Sequence, residues 1–175
     1  MILSYSDIPK SIIRSDKLAL VKTPEKDLPA IVAMEAADRQ YITPYSLERH
    51  QQVIFSEDEV HLSVIRLPDQ KRVGFIILAG LSSPHKALEF RRIVISEKRK
   101  GYGRESLRLV KKYCFEQLQF HRLWLDVFED NHRAIQLYRS ENFRKEGTLR
   151  ECAWHSNRYL SLCIFSMLES EYTPA

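Results

Sequence analysis

Hydrophobic and polar residues along the first half of the chain follow patterns typical of strands. Apolar runs of strand length, rich in β-branched residues, occupy residues 18–23, 59–67, 72–81 and 87–95. A turn at residues 68–71 separates the second run from the third. Helical signals begin near Pro24 and Pro29, continue through residue 38, and return after Pro44. The first half therefore predicts a meander of strands with two helices after the first strand.

From residue 102 to residue 120 the hydrophobic period becomes helical. The apolar positions of this helix are Leu107, Val110, Cys114 and Leu118, and its cationic side consists of Arg104, Arg108, Lys111 and Lys112. The pattern then predicts a strand at 121–129, a helix at 130–142, and strands at 144–155 and 158–168 around a two-residue turn. Together these elements predict a mixed sheet with helices on its faces. Because no repeat or linker interrupts them, we expect one domain over residues 1–175.

Composition narrows the class of protein. The 175 residues are 44% hydrophobic and 29% charged, with a net charge of +4, and no apolar run approaches the roughly 18 residues that would span a bilayer. The N-terminus lacks the basic start and apolar stretch of a signal peptide. Cys114, Cys152 and Cys163 have no metal-ligand spacing and cannot all pair with one another. We therefore expect a soluble, cytoplasmic protein without membrane contact and without a metal site.

A short basic segment with two glycines links the strand at 87–95 to the long helix, and it reads KRKGYGRES. Gly101 and Gly103 let backbone N–H groups converge, and the helix that begins there adds the positive end of its dipole, so the segment favours a phosphate group. The other residues that would contribute charge or contacts are Lys98, Arg99, Lys100, Tyr102 and Arg104. The alternative is an ordinary glycine turn that precedes a helix and carries a solvated basic cluster.

Two other interpretations of this segment fit less well. A dinucleotide-binding loop requires a third glycine where Ser106 stands, and it opens the first βαβ unit of a parallel sheet instead of following a meander. Asp126 does lie near the distance at which such a site places its acidic residue. Nucleic-acid binding is not expected, because Tyr102 is the only nearby aromatic residue and no recognition motif accompanies it.

A second group of candidate residues lies in the helix at 130–142. Asn131 can cap this helix, and Tyr138 follows seven residues later, which is nearly two turns. The two side chains therefore share one face, with the small Ala134 between them, and can address one ligand. The alternatives are a simple helix cap and a core tyrosine.

Residues 91–151 resemble the GNAT superfamily of acetyl-CoA-dependent N-acetyltransferases, and within it the Rim-type branch of ribosomal-protein N-terminal acetyltransferases. The resemblance covers roughly residues 17–168 and is looser before Phe75. It implies an α/β (α+β) fold, in which a mixed, mostly antiparallel sheet of about seven strands carries helices on both faces. It also implies that acetyl-CoA is the cofactor.

The resemblance assigns cofactor contacts to particular residues. The family's pyrophosphate-binding motif, Q/R-x-x-G-x-G/A, corresponds to Lys98, Gly101 and Gly103. Lysine at the first position keeps the charge but loses bidentate geometry. The resemblance further implies that backbone groups of Ile93 and Ile95 hold the pantetheine arm between a splayed fourth and fifth strand.

It also implies roles in the chemistry. Asn131 matches the family's cofactor-contacting asparagine, and Tyr138 matches the tyrosine that acts as general acid near the thioester sulfur. For polarising the carbonyl, the candidate is the main-chain N–H of Val94. The first candidate for a general base is Glu89, which also has a structural alternative. Cys114 lies on the apolar face of the long helix, so direct attack by the amine is expected.

Three functions remain open at this point. The first is acetylation of a protein or peptide N-terminal amine, whose reference pKa of about 8 leaves part of it neutral at physiological pH. The second is acetylation of a polyamine or other small amine. Clustered carboxylates at the acceptor groove would favour it, and Glu35, Asp38 and Glu48 are weak candidates for such a cluster. The third is an acyl-CoA-binding module without turnover, against which Tyr138 argues. A homodimer is compatible with each of them.

Overall fold

One eight-stranded sheet forms the centre of the computed structural model, which describes residues 11–38, 40–67 and 69–174. The strands are β1 (Ser11–Arg14), β2 (Leu18–Lys22), β3 (Glu59–Arg66), β4 (Lys71–Ala79), β5 (Ala87–Ile95), β6 (Arg122–Phe128), β7 (Arg144–His155) and β8 (Arg158–Leu168). They lie in the order β1-β2-β3-β4-β5-β6-β8-β7, and every neighbouring pair is antiparallel except β5 and β6. The predicted mixed, mostly antiparallel sheet is confirmed.

Helices cover both faces of the sheet, as predicted. They are α1 (Leu28–Ala36), α2 (Leu47–Ile54), α3 (Tyr102–Lys112) and α4 (His132–Ser140). Leu107 of α3 and Ile135 of α4 belong to the larger apolar core, whereas Ile31 of α1 and Val53 of α2 form the smaller one. Successive side chains of a strand point to opposite faces, so β5 contributes to both cores: Val94 joins the smaller one, and its neighbours lie against the larger one.

The sheet has eight strands instead of about seven because β1 was not predicted. Four residues are too few to show a strand period, and β1 owes its conformation to antiparallel pairing with β2 at the edge of the sheet. The helix predicted over residues 102–120 also ends early. A π-helical turn, Tyr113–Gln117, follows α3, and the φ angle of +53° at Gln119 then ends the helical path.

The predicted two-residue turn between the last strands is confirmed, since Ser156 and Asn157 both have positive φ angles, of +50° and +59°. None of the helices in the part of the chain that the structure describes is long and apolar enough to cross a bilayer. The prediction that the N-terminus carries no signal peptide concerns residues 1–17, of which residues 1–10 lie outside the described residues.

The feature that positions the site is the separation of β5 from β6. The two strands pair in parallel only where residues 87–89 face residues 122–124. Immediately afterwards β5 contains a bulge, because Leu78 of β4 pairs with Phe90 while Ile77 pairs with Arg92, leaving Arg91 as the extra residue. A bulge bends its strand and ends regular pairing. Beyond residue 89 the two strands diverge, which confirms the predicted splay and opens a wedge between them.

Gly74 on β4 lets the far end of β5 lie close. A Cβ atom there would meet the carbonyl oxygen of Val94 at 2.3 Å and Cδ1 of Ile95 at 2.7 Å. With any residue other than glycine at position 74, the backbone of β5 would have to shift away from the added Cβ atom. The position of the diverging segment of β5 therefore depends on this glycine.

We expect Gly74→Ala to lower the free energy of unfolding by about 1–3 kcal/mol, because β5 must move to admit the methyl group. For a chain of this length the melting temperature should fall by roughly 3–10 °C in a calorimetric or circular-dichroism melt. Gly147→Ala on β7 is the matched control, since a Cβ there would meet nothing within 4 Å. Equal melting temperatures for the two variants would contradict this interpretation.

Candidate active site

The wedge between β5 and β6 opens into a cleft of about 890 Å³. Its walls come from the segment after α1, from β5, from the loop before α3, from β6 and from α4. Most of the predicted site residues line this cleft: Ile93, Ile95, Lys98, Arg99, Gly101, Tyr102, Gly103, Arg104, Asn131 and Tyr138. Fold and sequence therefore bring the two separate candidate groups to one place.

The loop before α3 presents backbone N–H groups to this cleft. Arg99 and Gly101 both adopt left-handed conformations, with φ angles of +62° and +80°, and Gly101 is the N-cap of α3 without any side-chain cap. A Cβ at Gly101 would meet nothing within 4 Å, and at Gly103 its nearest neighbour would be Leu137 at 4.0 Å. Open space thus lies over the uncapped N–H groups of the first turn, which suits a phosphate group. The role of this loop in holding the cofactor stays a prediction.

Two cationic side chains around this loop are paired, whereas Arg99, which also lines the cleft, has no ion pair among the described residues. Lys98 Nζ lies 2.6 Å from Asp38 Oδ2, and Arg104 Nη1 lies 2.6 Å from Glu141 Oε1. Lys100 is exposed and does not line the cleft. An anion at the loop would therefore meet backbone N–H groups first and would compete with carboxylates for the cations.

Glu141, just after α4, joins that helix to α3. Its side chain is only 4% exposed and accepts hydrogen bonds from Arg104, Arg108 and Lys111. Burial by itself raises the pKa of Glu141, but the bonds from Arg108, Lys111 and Arg104 outweigh it and lower the pKa to about 2. Two walls of the cleft are held together by this ionic cluster.

Asn131 and Tyr138 face the cleft from α4. Asn131 Oδ1 accepts a hydrogen bond of 3.2 Å from the N–H of Ala134, so Asn131 caps the helix, and its amide group has no protein partner in the described ranges. Tyr138 is buried against Phe143 and Phe165, and no described residue hydrogen-bonds its hydroxyl group. Burial first, and Asp126 second, raise the pKa of Tyr138 above its ordinary value of 10. Both side chains keep polar atoms available for a ligand.

The sequence analysis did not assign Asp126 to the cleft wall. It points out of β6 into the cleft, and residues 11–38, 40–67 and 69–174 offer it no ion pair. The loss of water around it, and next the charge of Glu89, raise its pKa, while Arg91 and Arg92 act in the opposite direction. An outward-facing residue of an alternating strand looks like any surface residue in the sequence, so no signal identified it.

Besides Lys100, two other predicted residues, Glu89 and Val94, lie outside the lining of the cleft. Glu89 stands at the last paired position of β5 and β6, where Arg91 Nη2 donates to it at 2.6 Å. Its role as general base stays a prediction. The side chain of Val94 packs into the smaller core, so only its backbone can reach the cleft, and the role of its N–H also stays a prediction.

A buried glutamate anchors the wall on the α1 side. Glu35, with no exposed surface, accepts a hydrogen bond from Arg92 and one of 2.7 Å from the N–H of Tyr45. Arg92 also donates to the carbonyl oxygen of Thr43 at 3.0 Å and lies 3.6 Å from the ring centre of Tyr45. Residues 43–45 are therefore fixed to the bulged end of β5.

Two buried histidines support Glu35 from below. His50 Nε2 lies 3.1 Å from Glu35, its Nδ1 lies 3.1 Å from His61 Nε2, and His61 Nδ1 lies 2.9 Å from Thr23 Oγ1. Burial, and then His50, lower the pKa of His61 to about 3, so His61 is neutral at physiological pH. Every ring nitrogen of His50 and His61 thus has a hydrogen-bonding partner, and this row of contacts from Thr23 to Glu35 holds Glu35 rigidly.

The comparisons with known proteins agree with this geometry. Residues 17–144 match the family model described as Acetyltransferase (GNAT) domain. The chain belongs to this family. Membership confirms the predicted fold, the predicted enzyme class and acetyl-CoA as cofactor.

Individual GNAT relatives point to a substrate class for those proteins. The spermidine N(1)-acetyltransferase of Vibrio cholerae is 28% identical over 110 residues, 62% of this chain and 64% of that protein. The spermidine N(1)-acetyltransferase of Escherichia coli is 30% identical over 101 residues, 55% of this chain and 54% of that protein. The matched stretches thus span about half to two thirds of these curated relatives.

Solved structures extend the similarity over more of the chain. The crystal structure of the Vibrio cholerae spermidine N-acetyltransferase in complex with CoA and spermine has a TM-score of 0.80 at 25% identity, covering 90% of this chain and 99% of that one. A dodecameric structure of the same enzyme has a TM-score of 0.78. These relatives do not support the narrower prediction of a Rim-type branch.

The ionic cluster around Glu141 should make the stability of this GNAT domain depend on pH. A carboxyl group whose pKa falls from 4.5 in the unfolded chain to about 2 in the folded one stabilises the protein above pH 5, and that contribution disappears as the pH falls towards 2. After discounting for the exposed arginines, we expect Glu141→Gln to cost about 1–2 kcal/mol at pH 7 and almost nothing at pH 2, in denaturant titrations.

The control for this titration is Glu116→Gln, which removes a charge paired with Lys112 at 4.0 Å but keeps an oxygen to accept the hydrogen bond that Tyr172 donates at 2.7 Å. It should change stability little at either pH. A cost of Glu141→Gln that does not depend on pH would contradict the charge-based explanation.

Proposed function

We propose that this GNAT domain transfers the acetyl group of acetyl-CoA to a primary amine of a polyamine. The observation that carries the proposal is Asp126, a carboxylate without an ion-pair partner among the described residues, which lines the cleft together with Tyr138. The similarity to spermidine acetyltransferases supports the same substrate class. The N-terminal amine, our first interpretation of the sequence, receives no comparable support. That residues 1–175 form one acetyltransferase domain stays part of the proposal.

Charges near the acceptor end of the cleft favour a cationic substrate. Salt bridges connect Arg49 to Glu59, Arg91 to Glu59 and Glu89, and Arg92 to Glu35. With Asp126 added, three arginines face four carboxylates. Carboxylates thus outnumber arginines by one in this group, and the excess favours an ammonium ion.

The cofactor fits the remainder of the cleft. Backbone N–H groups at residues 101–104 would hold the pyrophosphate, and the unpaired edge of β5 at Ile93 and Ile95 would hold the pantetheine arm. Asn131 would add its free amide group. The cofactor supplies an acetyl group activated as a thioester.

Asp126 and Tyr138 divide the proton chemistry between them. A polyamine nitrogen resembles a lysine ammonium, with a reference pKa near 10.4, so it needs help to lose a proton. Asp126 holds the ammonium and first accepts one of its protons, so that the neutral nitrogen can form the new C–N bond. The second proton that the nitrogen loses passes to the thiolate of CoA, which leaves as the C–S bond breaks. Tyr138, whose pKa is raised, stays protonated and donates a hydrogen bond to the sulfur as the C–S bond breaks.

Direct transfer of the acetyl group from the thioester to the amine, without an acyl-enzyme, is the route consistent with the position of Cys114. Cys114 is fully buried, and burial raises the pKa of its thiol to about 12, so it offers no thiolate for an acyl-enzyme at neutral pH.

An acceptor screen tests the proposed substrate class. We expect the purified protein to release CoA thiol from acetyl-CoA with spermidine or spermine, and to do so at least about tenfold more efficiently, by kcat/KM, than with N-terminal peptides of ribosomal proteins. Mass spectrometry should find one acetyl group on the polyamine. Efficient acetylation of peptides with inert polyamines would instead support the N-terminal interpretation.

Two substitutions test the division of roles. Tyr138→Phe and Asp126→Asn should each lower kcat by about 100-fold or more, the usual contribution of a positioned acid or base, while the Kd of acetyl-CoA stays the same in calorimetry. Tyr113→Phe is the control for the tyrosine, because Tyr113 does not line the cleft. An unaltered kcat would remove the substituted residue from the mechanism.

A further inference from the structure

One salt bridge joins the two ends of the cleft. Lys98 belongs to the loop before α3, and Asp38 lies just after α1, 60 residues earlier in the chain. Their side chains meet at 2.6 Å, and both line the cleft. The pair therefore connects the wall that would hold the pyrophosphate with the wall that would hold the amine.

This salt bridge is weak enough for a ligand to replace one of its partners. Both side chains are partly exposed, Lys98 at 48% and Asp38 at 30%, and one pair of atoms makes the contact. Pairs of this kind shift an equilibrium by at most about fivefold. A pyrophosphate seated on the neighbouring N–H groups offers Lys98 a higher negative charge, so it displaces the carboxylate.

Displacement leaves Asp38 without a partner in the part of the chain that the structure describes. The other acceptor-side carboxylates do not become free in this way. Glu35 stays buried under Arg92 and His50, and Glu97, which also lines the cleft, is held by Arg66 and Lys71 outside it. Loading of the cofactor thus raises the number of unpaired carboxylates in the cleft from one to two.

We propose that Asp38 determines specificity for polyamines: acetyl-CoA takes Lys98 from it, and the released carboxylate binds an ammonium group of the substrate other than the one that is acetylated. The inference rests on the proposed function, because it presumes a substrate with two or more cationic nitrogens. A monoamine needs only Asp126. A polyamine uses both carboxylates, and Asp38 serves it only after the cofactor has bound.

The exchange couples the two ligands. Because the cofactor frees Asp38 for the amine, each ligand tightens the binding of the other by the same factor. In the protein without cofactor, spermidine must itself compete with Lys98 for Asp38.

Asp38→Asn therefore has two effects of opposite sign. Calorimetry should show acetyl-CoA binding about two- to fivefold more tightly, since Lys98 no longer has a competing partner. The KM for spermidine should rise by about tenfold, the loss of one charge-assisted contact, while the KM for propylamine stays the same. In a Lys98→Gln background, Asp38→Asn should leave the Kd of acetyl-CoA unchanged.

Glu116→Gln serves as the control, because it removes one negative charge from a lysine pair of similar exposure away from the cleft. It should change neither constant. If Asp38→Asn leaves the Kd of acetyl-CoA unchanged in the wild-type background, the exchange at Lys98 is wrong. If it raises the KM of propylamine as much as that of spermidine, Asp38 is not a specificity residue.

Failure of the proposed function gives a different result. A wild-type protein that acetylates no polyamine would overturn that function and the ammonium-binding role of Asp38 together. The titrations with acetyl-CoA decide the exchange at Lys98 independently, because they contain no amine.

Discussion

The divergence of β5 from β6 is the constraint on which the rest of the site depends. Parallel pairing ends after three residues on each strand, and the bulge at Arg91 directs β5 away from its neighbour. Backbone groups on the facing edges then have no strand partner across the gap, in a place where β4 and β8 already occupy the outer edges. Such groups need a ligand or water. The separation therefore creates both the space of the cleft and its backbone hydrogen-bonding capacity.

Charges divide this cleft into two regions. Around the loop before α3, Asp38 neutralises Lys98 and Glu141 neutralises Arg104. The fixed attraction for an anion therefore comes from the uncapped N–H groups and from Arg99, which has no ion pair among the described residues. At the other end, Glu35 and the histidines beneath it fix Arg92 and the segment at residues 43–45. A rigid acceptor wall can hold the amine in a fixed position relative to the bound cofactor.

The sequence predicts those parts of the site whose geometry is local. Glycines at 101 and 103 shape one turn, and Asn131 shares a helix with Tyr138, so the chain itself fixes these distances. Contacts between distant segments left no such signal. Asp126 resembled a surface residue of a strand, and the pairing of Lys98 with Asp38 joins residues 60 positions apart.

The elements of the fold also differ in how well the sequence predicted them, according to whether they depend on local or long-range contacts. Long periodic elements were predicted, with boundaries close to those observed, whereas β1 depends on pairing with β2 and the π-helical turn depends on how α3 meets the sheet. Substrate class was the least local property. It depends on the balance of charges at the acceptor end, where residues from α1, α2, β3, β5 and β6 meet. The sequence alone placed the N-terminal amine first, whereas the similarity to spermidine acetyltransferases supports the polyamine that we propose.

A crystal structure with CoA and spermidine together would test the central claim most directly. The account predicts the pantetheine arm between β5 and β6, the pyrophosphate on the N–H groups at residues 101–104, Lys98 turned from Asp38 to a phosphate, and one spermidine nitrogen at Asp126 with another at Asp38. Spermidine bound outside the cleft, or a Lys98–Asp38 pair that persists beside the bound cofactor, would contradict it.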